Sequence, residues 1–388
     1  MLPPAAMIDS PLKQPKTILQ VLPRLDLGGA ERVVVETAEA VHLSGHRSLI
    51  AAEGGHLSAA AARAGAELLQ LPLATKNPAK IWRNIKRLDD AIEANQVDLI
   101  HAHSRAPAWS AFYAAKRRKI PFVTTYHGSY SENSALKHRY NQIMAQGARV
   151  IAVSHYIAAL IKSRYGVGEE RVRVVHGGVD MRMFDPASVL GDRSVRLARA
   201  WRADAGQHTI MLPGRLTGWK GQKLFIQALA KMRHQDALGV LVGSAQGREN
   251  YTANLVSLAH SLGVADRLRI AGHTDDMPAA LMLADIVVNC STTPEAFGRT
   301  IVEAQAMGRV VVAANHGGAR ETIQEGITGL LVPPNDADAL AAMLDGVLDQ
   351  DVAARINFGA QARAHIDRQF SLAAMQTRML NVYAELLG

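Results

Sequence analysis

Three stretches of this 388-residue chain hold residue types whose spacing could do chemistry. The first is GRLTGWKGQ, from Gly214 to Gln222. It follows an apolar run ending at Leu212 and sets Arg215 and Lys220 among glycines, just before a helical pattern. Two cations beside a helix start suit a diphosphate, because the helix offers free N–H groups and a positive partial charge. The second is PEAFGRTIVEAQAMG, from Pro294 to Gly308. Glu295 falls in a loop beside Phe297 and Gly298, and Glu303 lies about a turn and a half inside the following helix. Carboxylates accept paired hydrogen bonds from the vicinal hydroxyls of sugars and ribose. Ile301, Val302, Ala304 and Ala306 make that helix apolar nearly all round, so Glu303 calls for a buried polar partner. The third is DLGGAE, where Gly28 and Gly29 mark a strand turning into a helix. It is neither a dinucleotide fingerprint nor a P-loop, and alone it reads more often as a tight turn than as a phosphate site.

Several histidines fall at strand ends, where open α/β sheets bind ligands. His127 closes TYHG, His101 and His103 end the strand before it, and His176 ends a later one. His101, His103 and His176 receive no role. No metal site is expected: there is no H-E-x-x-H pattern and a single cysteine, Cys290. Asp336 and Asp338 formally match a D-x-D metal motif, but they open an alanine-rich helix and read as its cap.

Charge is unevenly spread. Residues 1–190 carry 24 Lys and Arg against 16 Asp and Glu, and the remainder carries 19 of each. The net +8 therefore belongs to the first half, which suggests an anionic partner there. The pattern NPAKIWRNIKRLDDAIEA places Ile81, Ile85, Leu88 and Ile92 on one helix face. Lys80, Arg83, Lys86 and Arg87 fall off that face, with Trp82 beside them. Lys116, Arg117, Arg118 and Lys119 end another helix. Such clusters suit an anionic bilayer surface, and equally a plain solvated helix. Aromatic residues at 5% are too sparse for nucleic-acid stacking. No apolar run approaches the ~20 residues of a membrane span. With one cysteine a disulfide scaffold is excluded, and a cytoplasmic protein of the reducing cytosol is expected.

The elements that must position these residues alternate from end to end. Strands are expected at 17–21, 47–52, 67–71, 97–101, 121–126, 150–153 and 171–175. A second series follows at 208–212, 239–242, 268–271, 285–290, 310–314 and 329–332. Strands separated by helices of ~10–15 residues imply parallel sheets. The fold class is α/β, as two doubly wound Rossmann-like domains, with ligands between them. The boundaries are placed at 1–185, 186–370 and 371–388. Residues 1–15 read as a disordered lead-in, and the last helix as packing back on the first domain.

The order GGAE, TYHG, GRLTGWKG, E-x7-E and GG resembles retaining glycosyltransferases of family 4, with the GT-B fold. The resemblance runs over nearly the whole chain. HSRAPAW, TYHGSY and EAFGRTIVEAQAMG are similar to the branch that assembles lipopolysaccharide cores. It implies a nucleotide-sugar donor, a glycan or lipid-linked acceptor and no metal. Arg215 and Lys220 would bind the diphosphate, and Glu303 the donor ribose. Glu295, with the backbone at Phe297 and Gly298, would hold the transferred sugar. His127 would stand near the reacting carbon, and Gly28 and Gly29 near the phosphates. Family members often have Asn-Gly where this chain has His176-Gly177. The rival expectations are a nucleotide-sugar epimerase or hydrolase, and a silent sugar-nucleotide-binding subunit.

Overall fold

The computed structural model describes residues 8–203 and 206–388. It forms two compact units. One holds the residues up to Gly177 together with Leu372–Gly388, and the other is Gly178–Ser371.

The first unit is a seven-stranded sheet: β1 (Thr17–Val21), β2 (Arg47–Ala52), β3 (Ala66–Gln70), β4 (Leu99–Ala102), β5 (Phe122–Tyr126), β6 (Arg149–Ala152) and β7 (Val172–Val174). Their order is β3-β2-β1-β4-β5-β6-β7, parallel throughout. The second unit is a six-stranded sheet: β8 (Thr209–Pro213), β9 (Leu238–Val242), β10 (Leu268–Gly272), β11 (Ile286–Asn289), β12 (Val310–Ala314) and β13 (Leu330–Val332). Its order is β10-β9-β8-β11-β12-β13, again parallel. Helices cover both faces of such sheets, so the strands must be apolar on both sides. The runs Ile286–Asn289 and Val310–Ala314 are buried at every position. Gln20 in β1 is polar yet fully buried, and its Nε2 donates to the Val34 carbonyl at 3.0 Å.

In each sheet the strand order reverses once, between β1 and β4 and between β8 and β11. Loops leaving the carboxyl ends of strands at such a reversal run apart, and the crevice between them is the usual ligand position in this topology.

Two boundaries differ from expectation. The division falls at Gly177/Gly178 rather than at 185/186, because the segment between is fastened to the second unit. The Val179 N–H donates to the Phe370 carbonyl at 2.9 Å, and Arg363 Nη1 donates to the carbonyl of the buried Phe184 at 2.7 Å. The lead-in expected to be disordered lies outside the described residues only for 1–7. From Ile8 onward it is held: the Ile8 N–H donates to the Leu43 carbonyl at 3.2 Å, Ser10 Oγ is 2.6 Å from His46 Nε2, and Leu12 is buried.

The final helix, Leu372–Leu387, completes the core of the first unit with Met375, Met379, Leu380 and Tyr383, which pack with Ile18, Val41 and Leu99. Glu385 on the same helix pairs with Arg149 and Arg173 near the surface. Packing outweighs that ion network, since burying an aliphatic side chain is worth several times a surface pair. Leu380→Ala should therefore destabilise by about 2–5 kcal/mol. Glu385→Gln should cost under about 1 kcal/mol. Denaturant melts of both variants check the contrast, and equal losses would contradict it.

Candidate active site

The second unit assembles the GRLTGWKGQ and PEAFG segments at its reversal point. The first follows β8 and the second follows β11, its sheet neighbour. Close approach of the two is set by Gly221, whose φ is +81°. A Cβ there would lie 2.0 Å from the Cys290 carbonyl oxygen, so only glycine lets the helix Gln222–Lys231 begin against the end of β11. Gln222, fully buried, donates from Nε2 to the Arg215 carbonyl at 2.9 Å and holds the turn in shape. Arg215 itself stands exposed on that turn.

Lys220 Nζ donates to Glu295 Oε1 at 2.7 Å, with the two side chains only 12% and 11% exposed. The ammonium also sits 4.5 Å from the centre of the Trp219 ring. Ser291 Oγ donates to the same Glu295 oxygen. Burial works to raise the Glu295 pKa, but the charge of Lys220 and hydrogen bonds from Lys220, Ser291 and Asn289 outweigh it and hold the carboxyl below its ordinary value. The sign follows: the stability this carboxylate contributes is complete above its unfolded pKa and is lost as pH falls through the depressed folded value.

A third loop, leaving β12, clamps this one. His316 Nε2 donates to the Ser291 carbonyl at 2.8 Å, and the Gly318 N–H donates to the Glu295 carbonyl at 2.8 Å. A Cβ at Gly318 would lie 2.5 Å from Phe297 Cα, so the backbones nest without side chains between them. Phe297 is buried, 5.9 Å from the Phe370 ring, and Gly298 takes φ +89° as it caps the helix Arg299–Ala306. Glu303 on that helix is buried and accepts from Arg299 Nε at 3.1 Å. The polar partner its apolar setting calls for is thus one helical turn away.

In the first unit, Gly28 precedes the helix Gly29–Leu43. A Cβ at Gly28 would meet Glu31 Oε2 at 2.3 Å, so a carboxylate already leans over this helix start. At Gly29 a Cβ would meet nothing within 4 Å. The phosphate role placed on these glycines gains nothing from the turn's own geometry.

His127, by contrast, has company. His103 follows β4 and His127 follows β5, the next strand, and His103 Nδ1 lies 3.0 Å from His127 Nε2 with the rings stacked. His101, inside β4, packs its ring 3.9 Å from that of His103. Its own nitrogens meet Tyr383 Oη and Thr125 Oγ1, each at 2.7 Å. Burial pushes all three imidazoles down: His127 to about 4, His101 to about 3 with help from His127, and His103 well below its ordinary value. All three are neutral near pH 7. His176 makes an edge contact with the His155 ring, 5.5 Å between centres.

The structure thus brings Lys220 and Glu295 into contact and sets His127 in a histidine cluster. Ser291, His316, Arg299, Trp219 and Tyr383 went unnoticed in the sequence. Only Arg299 carried a local signal, its i, i+4 spacing to Glu303. Asp336 Oδ1 accepts from the Ala339 N–H at 2.9 Å as the cap of the helix Ala337–Leu348, and Asp338 pairs with Lys231 at 2.7 Å.

The basic clusters lie on two packed helices, Pro78–Ala94 and Arg105–Arg118. Ser110 Oγ donates to the Ile81 carbonyl, while Arg118 bridges Asp89 at 2.5 Å and Glu93 at 2.8 Å. Arg117 faces Asp89, and Lys86 pairs with Asp90. Arg87 donates to Asn84 Oδ1 at 2.8 Å. Lys80, Arg83, Lys116 and Lys119 are exposed and make no ion pair among the described residues. Trp82 is 73% exposed among them.

Among the described residues no helix is long and apolar enough to cross a membrane. Known proteins sharpen the picture. The family description Glycosyltransferase Family 4 matches residues 27–182, and Glycosyl transferases group 1 matches residues 196–365. A D-inositol 3-phosphate glycosyltransferase of Salinispora tropica is 33% identical over 326 residues, which span 78% of this chain and 66% of that protein, just under two thirds. A glycosyltransferase from Rickettsia africae superposes with a TM-score of 0.89 at 33% identity, covering 96% of this chain and 99% of the other. HepE of Anabaena, solved with UDP-glucose, superposes with a TM-score of 0.82 at 24% identity over 95% of this chain and all of its own; that likeness is one of fold, the GT-B architecture. Two matched halves, each a doubly wound sheet, together with the likeness to the Rickettsia africae enzyme, make this chain a member of glycosyltransferase family 4.

Proposed function

We propose that this enzyme moves a hexose-type sugar from a nucleotide-sugar to a hydroxyl of a glycan or glycolipid acceptor, with retention of configuration, in building the cell envelope. The observation that carries the reading is the buried Lys220–Glu295 pair. A cation and a carboxylate in direct contact can serve two neighbouring groups of one ligand. The β-phosphate would take Lys220, and the adjoining sugar's hydroxyls would take Glu295, which is already held ionised to accept them. The bond to be broken joins those two groups.

Glycosyl transfer passes through an oxocarbenium-like state. Charge grows on the departing diphosphate, and Arg215 and Lys220 are the residues to neutralise it. Glu303 would hold the ribose while retaining its Arg299 contact, and the backbone of Phe297 and Gly298 would steady the sugar. His127, Gly28 and Gly29 would keep the roles the resemblance implies, His127 near the reacting carbon and the glycines near the phosphates. The acceptor hydroxyl attacks on the face the diphosphate leaves, and the leaving phosphate takes its proton, so no enzyme carboxylate nucleophile is assigned.

UDP-glucose, the ligand of the HepE structure, is the first donor to assay. Arg215→Ala or Lys220→Ala should cut turnover about 10²–10³-fold, the scale of one preorganised charge-stabilising donor. Glu303→Ala should weaken binding of bare UDP, whereas Glu295→Ala should spare it and depress transfer. Calorimetry and product mass separate the two, and equal loss of UDP affinity would contradict the division of roles. Donor consumed without acceptor would favour a hydrolase or epimerase, and donor bound but never consumed would favour a silent subunit.

A lipopolysaccharide-core acceptor sits in the inner membrane, and the unpaired cations with Trp82 support peripheral docking there from the cytoplasm. The relative named for D-inositol 3-phosphate favours a second reading, a small soluble polyol phosphate. Each Lys or Arg near an anionic surface contributes about 1 kcal/mol, screened by salt. The protein should pellet with anionic vesicles at low salt, release at high salt and ignore neutral vesicles. Replacing Lys80, Arg83, Lys116 and Lys119 with Gln should weaken pelleting and leave UDP binding unchanged. A wild type that ignores anionic vesicles at low salt would favour the soluble acceptor.

A further inference from the structure

The histidine cluster holds a constraint that the proposed transfer does not by itself use. His103 is 4% exposed. Its Nδ1 meets His127 Nε2 at 3.0 Å, and its Nε2 is buried without a hydrogen-bond partner among the described residues. Two uncharged imidazoles 3.0 Å apart share one proton, so one nitrogen donates and the other accepts. There are two arrangements. In the first, His127 Nε2–H donates to His103 Nδ1; His103 then carries its proton on Nε2, as a buried N–H with no acceptor. In the second, His103 Nδ1–H donates to His127 Nε2; His103 Nε2 is then a bare lone pair. Orphaned buried N–H groups are the rarer defect, so the second arrangement is favoured.

The consequence falls on His127. Its Nε2 is occupied as an acceptor, and its ring proton is therefore on Nδ1. We propose that His103 is a positioning residue that locks His127 in the Nδ1–H tautomer, so that His127 meets the donor sugar as a hydrogen-bond donor and not as a base through Nε2. This rests on the reading that His127 serves sugar transfer. The elements behind it make the lock rigid. His101 is pinned at both nitrogens by Tyr383 Oη and Thr125 Oγ1, whose hydroxyls can each donate or accept, and its ring packs on His103. The chain of contacts therefore runs from the final helix through β4 to the end of β5. Burial depresses all three pKa values, so no proton is available near neutrality to scramble the tautomer.

The direct test is the nitrogen NMR spectrum of the wild-type protein with ¹⁵N-labelled histidine, at pH 7, with the His127 signals assigned by their loss in His127→Asn. A protonated Nδ1 and an unprotonated Nε2 on His127 are expected; protonation at Nε2 would overturn the proposal. Kinetics supply a second arm. His103→Leu should lower kcat for sugar transfer on the order of ten- to a hundredfold, with the KM for donor much less changed, since the ring loses its orientation and tautomer. His103→Asn, whose side-chain amide can donate from close to the Nδ1 position, should restore most of that loss and the Nδ1–H signature of His127. Equal kcat values in wild type and a folded His103→Leu would overturn the positioning role. A His127→Ala variant with full transfer activity would instead sink the placement of His127 at the sugar, and the wild-type spectrum would still decide the tautomer.

Discussion

The contact between Lys220 and Glu295 organises the second unit. The two residues are 75 positions apart and leave different strands, yet they meet at 2.7 Å in a setting that excludes most water. A buried ion pair has to offset the desolvation of two charges, and it does so only when further hydrogen bonds complete it. Ser291, Asn289 and the Trp219 ring supply that completion. On the proposed reading the pair can exchange, because Lys220 would trade the carboxylate for a phosphate and Glu295 would trade the ammonium for sugar hydroxyls.

What brings the partners together is backbone shape. Gly221 lets a helix start against the end of β11, and the His316–Gly318 turn nests on the Glu295 loop from the other side. The close approaches at Gly221 and Gly318 are main-chain to main-chain, while the His316 ring reaches the Ser291 carbonyl beside them, and a side chain at Gly221 or Gly318 would push the loops apart. The doubly wound sheet places the loops side by side, and the glycines let them close. The first unit follows the same plan with different chemistry: β4 and β5 deliver His103 and His127 to adjoining positions, and burial keeps them uncharged.

Much of the fold was legible in the residues. All thirteen strands lie within about two residues of their expected positions, because parallel strands buried on both faces read as near-continuous apolar runs. Arg215, Lys220, Glu295 and Glu303 stood out because cations and carboxylates near glycines at strand ends are locally recognisable. Their pairing did not, since Lys220 and Glu295 meet only through tertiary structure. His316 and Tyr383 escaped notice for the same reason: their partners Ser291 and His101 are 25 and 282 residues away. The unit boundary was misplaced because Val179 and Phe184 are fastened by Phe370 and Arg363, contacts that no local pattern announces. The basic clusters were readable as clusters, but Asp89 and Glu93, which engage Arg117 and Arg118, lie on another helix.

The central claim is that Lys220 and Glu295 act as one unit on the donor. A double-mutant cycle tests it most directly, with Lys220→Met, Glu295→Gln and the combined variant compared by kcat/KM for sugar transfer. Residues working as one unit show strong coupling, on the order of 0.5–3 kcal/mol. The double variant should therefore be little worse than the poorer single one. Losses that simply add, as for residues acting apart, would contradict the account.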